Sequence, residues 1–200
     1  MLRSLTLLLF TLMSCMASSD NQISDMPKNY TLQHTEALAF CKKKQYCEDY
    51  YFLVDLSVHS GKKRFYVYDF KQKKIIDSNL VTHGACDAFD ANDTKYQKVK
   101  FSNRNDSHCS SIGKYKVSKR DYSTWGINVK YWLEGLEETN SNARNRVVVL
   151  HSWEAVSNTE IYPQYTPLSW GCPAVSDAFM TKLDAKLQKT EKPVLLWIVE

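Results

Sequence analysis

The sequence predicts a mainly β (α+β) domain, with one helix ahead of the strands and another close to the end of the chain. Three observations carry this. From Tyr51 onward, short runs such as "FYVYDF" and "GINVKYWLEGL" alternate apolar and polar residues, which is the period-2 pattern of strands with one buried face. "RVVVLHS" is apolar almost without a break, as expected for a strand buried on both faces. Phe179, Leu183 and Leu187 recur every fourth residue and form a helical stripe.

Taken in order, "MLRSLTLLLFTLMSCMA" (residues 1–17) reads as a leader. It has one basic residue, Arg3, then an apolar run from Leu5 to Met13, then small residues. The run is too short to span a bilayer and is flanked like a secretory signal. Leu12-Met13-Ser14-Cys15 resembles a lipobox, in which Cys15 would be lipidated and anchor the chain to a membrane; cleavage after Ala17 would release a soluble protein instead. Both outcomes stand, and both mean export. Residues 18–30 read as a flexible tether and residues 31–200 as the folded domain.

Within that domain, Thr31 to Tyr46 predicts a helix with Leu32, Ala39 and Phe40 among its apolar positions. Phe52–Val58 and Arg64–Phe70 predict strands flanking a turn that contains Gly61. "KIIDSNLVTHG" predicts a third strand that ends at His83-Gly84. Residues 85–111 are polar and too long for an idle connection, which points to a functional or bridged loop. "GKYKVSKR", "GINVKYWLEGL" and "RVVVLHS" add strands, Ser176 is placed to cap the helix of Phe179, and "PVLLWIV" closes the chain as a strand.

Composition bounds the function. Of the 200 residues, 44% are hydrophobic and 24% charged, a globular balance. Twelve tyrosines, eight phenylalanines and five tryptophans supply ample surface to bury. A net charge of +4 is too small for nucleic-acid binding, which needs a basic stripe. The clusters Lys42-Lys43-Lys44 and Lys71 to Lys74 are short and read as a solvated helix face and a hairpin tip.

Export changes how the cysteines read. Besides Cys15 there are Cys41, Cys47, Cys86, Cys109 and Cys172, an odd set, so at least one is unpaired within the chain. In an oxidising compartment the others can form two bridges: Cys41 and Cys47 are close in sequence, and Cys86 and Cys109 flank the polar loop. Cys172 is then a free thiol, set in the turn Ser169-Trp170-Gly171-Cys172. His151 ends the buried strand, and seventeen residues separate it from Ser169. An imidazole can act as base for a cysteine nucleophile and lower its pKa. Gly171 permits close approach, and the amides of Gly171 and Cys172 can hold an oxyanion. Spacing alone leaves a nucleophile and an unpaired structural thiol both open.

His151-Ser152 followed by "SWGCPAV" resembles the active-site motif of the L,D-transpeptidase catalytic domain, in the branch of murein L,D-transpeptidase catalytic-domain proteins. "HSGKKRFYVYDFKQKKIIDSNLVTHG", "KFSN" with "SHCSSIGKYKV", and "GLEETNSNARNRVVVLHS" are similar to that branch too, so the resemblance covers about Tyr51 to Glu200. It implies a β-sandwich with a helix after the cysteine. It implies Cys172 as nucleophile, His151 as base, and Ser152 orienting His151 through its carbonyl. Ser169, Trp170 and His83 would line the substrate pocket. The implied reaction is transfer of a peptidoglycan stem peptide through a Cys172 thioester, with release of D-alanine, no cofactor and no metal, in the periplasm or on an outer-membrane lipoprotein facing the wall. With water as acceptor the same site is an L,D-carboxypeptidase. The turn departs from the family's common Ser-His-Gly-Cys with a nearby arginine or asparagine: Trp170 replaces the histidine, and Pro173-Ala174-Val175 carry no charge.

Two rival readings accompany this one. His83, Cys86, His108 and Cys109 have the ligand types of a zinc site, though their spacing matches no familiar zinc pattern. Alternatively, the fold is kept as a non-catalytic wall-binding module, with Trp170 and the missing charge as its support.

Overall fold

The computed structural model describes residues 28–86 and 94–200. The leader, Cys15 and most of the tether lie outside these residues. The compact unit spans Thr31–Glu200. It runs α1 (Thr31–Lys44), β1 (Tyr50–Asp55), β2 (Phe65–Asp69), β3 (Lys74–Asn79), the short α2 (Thr94–Gln97), β4 (Gly113–Tyr122), β5 (Val129–Gly135), a single 3-10 turn (Glu138–Asn140), β6 (Val149–Ser152), β7 (Ala174–Val175), α3 (Asp177–Leu187) and β8 (Val194–Val199). The expected mainly β class holds. Among the described residues no helix is long and apolar enough to cross a membrane.

All eight strands join one sheet, in the order β3-β2-β1-β8-β4-β5-β6-β7. Sequence neighbours make the antiparallel pairs β1–β2, β2–β3, β4–β5 and β5–β6. The closing strand β8 inserts between β1, to which it is parallel, and β4, to which it is antiparallel. It thereby stitches the first three strands to the rest. The expected sandwich takes the form of this one sheet folded over a shared core. Phe52, Val54 and Phe65 from one end and Tyr131, Leu150 and Val175 from the other belong to one buried cluster with Phe179, Met180 and Leu183 of α3. The two edges also meet: Thr82, just past β3, donates its amide to the carbonyl of Ala174 in β7 at 2.9 Å, and Gly84 bridges to Ser169.

Helix α3 forms where its stripe places it. Ser176 accepts a hydrogen bond from the Phe179 amide and caps the first turn. Phe179, Leu183 and Leu187 are buried, and the Phe179 ring meets Phe65 edge-on at 5.3 Å. Helix α1 differs from the sequence expectation. Its buried residues are Ala37 and Cys41, while Leu32 is 82% exposed. The rotation is set by contacts that the helix cannot specify alone: His34 stacks on Tyr68 at 3.5 Å and lies 2.7 Å from the Tyr51 hydroxyl.

Cys41 and Cys47 are not bridged, which corrects the second expected disulfide; both are free and buried. The chain turns between them through Gln45 at φ 59, and the Cys47 amide is held by the Pro193 carbonyl at 2.8 Å. Burial, then the proximity of Cys47 and Glu48, pushes the Cys41 thiol up to about 12.

Asp184 of α3 is the main polar tie between this helix and the sheet. It receives both Nε (2.8 Å) and Nη2 (3.0 Å) of Arg120 in β4 and the Tyr131 hydroxyl (2.6 Å) in β5. The Arg120 bond, ahead of the opposing effect of burial, holds the Asp184 carboxyl below the usual carboxylate range. A depressed carboxyl contributes stability that is present above its unfolded value and is lost as pH falls through its folded value. Asp184→Asn should therefore destabilise the domain at neutral pH by about 1–2 kcal/mol, allowing for the half-exposed Arg120. Thermal melts of the variant and the parent should converge as pH drops through the acid range; a gap that widens there would remove the ionic account.

Candidate active site

The site is built from the end of β6 and the turn before β7. Strand β6 is buried along its whole length, with β5 on one side and β7 on the other. His151 is paired with Lys130 of β5 and with Ala174 of β7. Since Ala174 follows Cys172 by two positions, this register brings the cysteine turn alongside His151. His151 Nδ1 donates to the Ser152 carbonyl at 2.9 Å, which fixes the proton on Nδ1 and leaves Nε2 as the basic nitrogen. Ser152 is in turn held by the turn before β5, where its hydroxyl accepts the Ile127 amide at 3.0 Å. Gly126 makes that approach possible, because a Cβ there would sit 2.0 Å from Ser152 Oγ.

The cysteine turn is braced on both sides. Ser169 Oγ donates to the Cys172 carbonyl at 2.6 Å and accepts the Gly171 amide at 3.2 Å. Thr82 Oγ1 donates to the same carbonyl at 3.0 Å and accepts the Ala174 amide at 3.0 Å. Gly171 has φ +102, and a Cβ on it would lie 2.6 Å from the Cys109 carbonyl, so glycine is required on both counts. The Gly171 amide is occupied by Ser169, whereas the Cys172 amide has no acceptor among the described residues. Of the two amides expected to hold an oxyanion, that of Gly171 is therefore occupied and that of Cys172 is not.

Cys172 and His151 line one cavity of about 570 Å³, with Trp125, Trp153, Leu168, Ser169, Trp170, Val147 and Arg146. Trp125 packs on Trp153 at 5.5 Å, and its ring centroid lies 6.5 Å from that of His151. Trp170 is 65% exposed and tilts over His108 at 4.6 Å. Cys172 Sγ accepts the Val149 amide at 3.5 Å and lies 3.6 Å from the Val147 carbonyl. Val147 turns the chain into β6 at φ 56, a left-handed conformation that is strained for a β-branched residue.

The model of the L,D-transpeptidase catalytic domain matches residues 24–197. The chain belongs to the L,D-transpeptidase catalytic-domain family. Solved structures similar to this family member include Bd1075 of Bdellovibrio bacteriovorus, at 17% identity over 78% of this chain and 49% of that one, with a TM-score of 0.46. An L,D-transpeptidase from Xylanimonas cellulosilytica is 12% identical over 80% of this chain and 68% of that one, TM-score 0.41. The helical cell shape determining protein Pgp2 of Campylobacter jejuni is 13% identical over 84% and 55%, TM-score 0.42. The chain thus spans about half the length of the first of these, 49%. No curated protein matches the chain.

Electrostatics in this L,D-transpeptidase-family site differ from the simple expectation. Burial lowers the His151 pKa, against the Ser152 carbonyl bond and with help from Lys130, so the imidazole is neutral at neutral pH. Burial also raises the Cys172 thiol above its ordinary value, although the Val149 amide, Arg146 and Lys130 pull the other way. A neutral thiol and a neutral imidazole therefore replace the lowered thiol that the spacing suggested.

His83 is not in the cavity lining. It sits behind it, accepting from Arg64 Nη2 at 2.9 Å on Nδ1 and donating from Nε2 to the Lys95 carbonyl at 2.9 Å. Burial first, then Arg64, pushes it down to about 4, so it is a neutral structural link from the core to the polar loop. The zinc reading fails for the same loop, because Cys86 and Cys109 are joined in a disulfide and no longer offer thiolates. Sequence reasoning missed Arg146, Trp125 and Trp153. Arg146 had one readable signal: it is a charge at the head of the otherwise apolar run Val147 to Leu150.

The disulfide closes a 23-residue separation around the loop that carries Ser102 and Cys109, both of which accept from Arg146. Loop-closure entropy gives the bond roughly 3 kcal/mol. Replacing Cys86 and Cys109 together with serine should lower the melting temperature by a matching amount and abolish its sensitivity to reductant. A melt unchanged by either treatment would mean that other contacts hold the loop.

Proposed function

We propose that this chain is an exported cysteine transpeptidase that acts on peptidoglycan stem peptides, in the periplasm or, with Cys15 lipidated, anchored at the outer membrane. The observation that carries the reading is the β6–β7 register, which puts Cys172 and a His151 of defined tautomer on one cavity. Nε2 of His151 takes the thiol proton as Cys172 Sγ attacks the carbonyl of the diamino acid at position three of a stem tetrapeptide. The Cys172 amide stabilises the oxyanion. Collapse breaks the peptide bond, the proton passes from His151 to the leaving amine, and D-alanine departs from a thioester. The amine of a second stem attacks that thioester and restores the free thiol, giving a 3–3 cross-link. Water as acceptor gives a shortened stem instead, the L,D-carboxypeptidase outcome.

The raised thiol favours one other reading, a binding module that keeps the fold without turnover. Mass spectrometry of stem tetrapeptides incubated with the protein separates the readings, since cross-linked dimer, trimmed tripeptide and unchanged peptide are distinct masses. Cys172→Ser should remove all turnover and the covalent adduct with a carbapenem. His151→Ala should retain the fold and slow acylation by roughly a hundredfold or more. Turnover that survives in Cys172→Ser ends the cysteine mechanism.

The pH dependence follows from the two shifts. His151 works as a base only when unprotonated, and its pKa lies below the ordinary histidine value, so acylation should hold its rate until pH falls below that ordinary value. Iodoacetamide labelling of Cys172 without substrate reports the thiolate. It should rise only at pH above the ordinary thiol value. Fast labelling at neutral pH would instead indicate a preformed ion pair.

A further inference from the structure

We propose that Arg146 is the residue that anchors a carboxylate of the stem peptide, and so selects substrates whose carboxylate is free. This rests on the stem-peptide reading of the site and names the group in it that recognises charge.

Arg146 lines the same cavity as Cys172 and His151. Its Nη1 donates to the Ser102 carbonyl at 2.9 Å and the Ser111 hydroxyl at 2.5 Å, and its Nη2 donates to the Cys109 carbonyl. All three acceptors are neutral oxygens. Among the described residues no carboxylate forms an ion pair with it; its electrostatic partners are Tyr115 and Cys172. The guanidinium has more donors than these acceptors use, and a planar fork suits a carboxylate. A half-buried cation without a counter-ion is costly unless an anion completes it. The other named lining groups are aromatic, aliphatic, a hydroxyl, a thiol and a neutral imidazole, so Arg146 is the only charge that the described lining offers. The three bonds also hold it in place: they clamp it against the disulfide-closed loop, and Gly171 leaves it room, since a Cβ there would lie 3.1 Å from Nη2. The cysteine turn itself supplies no charge through Pro173-Ala174-Val175. Arg146 supplies it from the strand side instead.

A purely structural role for Arg146 would weaken all peptides alike, whereas anchoring couples the arginine to one group on the ligand. The test therefore uses a cycle of binding constants measured by calorimetry on the Cys172→Ala protein, where no chemistry intervenes. The probes are a stem tetrapeptide with all carboxylates free, the same peptide with a carboxamide at the terminal D-alanine, and the same peptide with a carboxamide on the diamino acid. One of the two amidations should weaken binding roughly tenfold, as for a charge-assisted hydrogen bond at a half-buried site. Which amidation does so identifies the carboxylate. Arg146→Gln added to Cys172→Ala should erase that difference. Arg146→Lys, which keeps the charge and guards against loss of the loop clamp, should retain part of it. Equal binding of all three peptides to the Cys172→Ala protein overturns the proposal, as does a preference that survives Arg146→Gln. Failure of the functional reading looks different: the native protein leaves the free tetrapeptide unchanged in mass, whatever its affinity.

Discussion

The parallel pairing of β7 with β6 is only two residues long, yet the candidate site depends on it. It sets His151 opposite Ala174, and so fixes how far Cys172 lies from the imidazole. So short a ladder has too few hydrogen bonds to hold register alone. Thr82 and Ser169 supply the rest, locking the Cys172 carbonyl and the Ala174 amide from outside the strand. Because Thr82 follows β3, at the opposite edge of the sheet, the position of Cys172 is tied to the folding of the sheet over its core. Core packing and site geometry are consequently one constraint, and a slip in the register would separate the pair.

The same arrangement explains the electrostatics. A histidine on a strand buried on both faces is held rigidly and is also desolvated, which lowers its pKa. The thiol beside it is desolvated too, and its pKa rises. Burial thus acts on both groups in the direction that keeps them neutral. In the proposed mechanism the charge separation appears only as the thiol attacks, where the Cys172 amide is already placed to receive negative charge. Groups fixed in advance reorganise little during such a step.

Around the site, one covalent bond and a set of hydrogen bonds restrain the neighbouring loop. The Cys86–Cys109 disulfide closes the polar loop, and Arg146 binds that loop through Ser102, Cys109 and Ser111. From beneath, the Arg64–His83–Lys95 chain links the core to the start of α2. The cavity is lined by the strand end and the cysteine turn, and the polar loop reaches it through Arg146, which lines the cavity and bonds to Ser102, Cys109 and Ser111. Val147, strained at φ 56 between Arg146 and the strand, is where the two meet.

The sequence by itself determined what depends on near neighbours. Alternation marked most of the strands, a four-residue stripe with Ser176 marked α3, the flanking cysteines marked the bridged loop, and a strand-end histidine with a glycine-turn cysteine marked the candidate pair. Each of these is written in local periodicity or local turn chemistry. The tertiary structure alone decided the rest. Insertion of β8 between β1 and β4, the two-residue β7 and the closure through Thr82 are pairings between distant segments, which no local pattern encodes. Rotation of α1 onto Ala37 and Cys41, rather than Leu32, followed from where His34 met Tyr51 and Tyr68. Whether Cys41 and Cys47 bridged and whether His83 faced the cavity turned on tertiary placement, and whether the Cys172 thiol was lowered or raised turned on burial. Arg146 gained a place on the cavity wall only through the fold. Burial and long-range register arise only once remote parts of the chain pack together, and that is why those features became visible only in three dimensions.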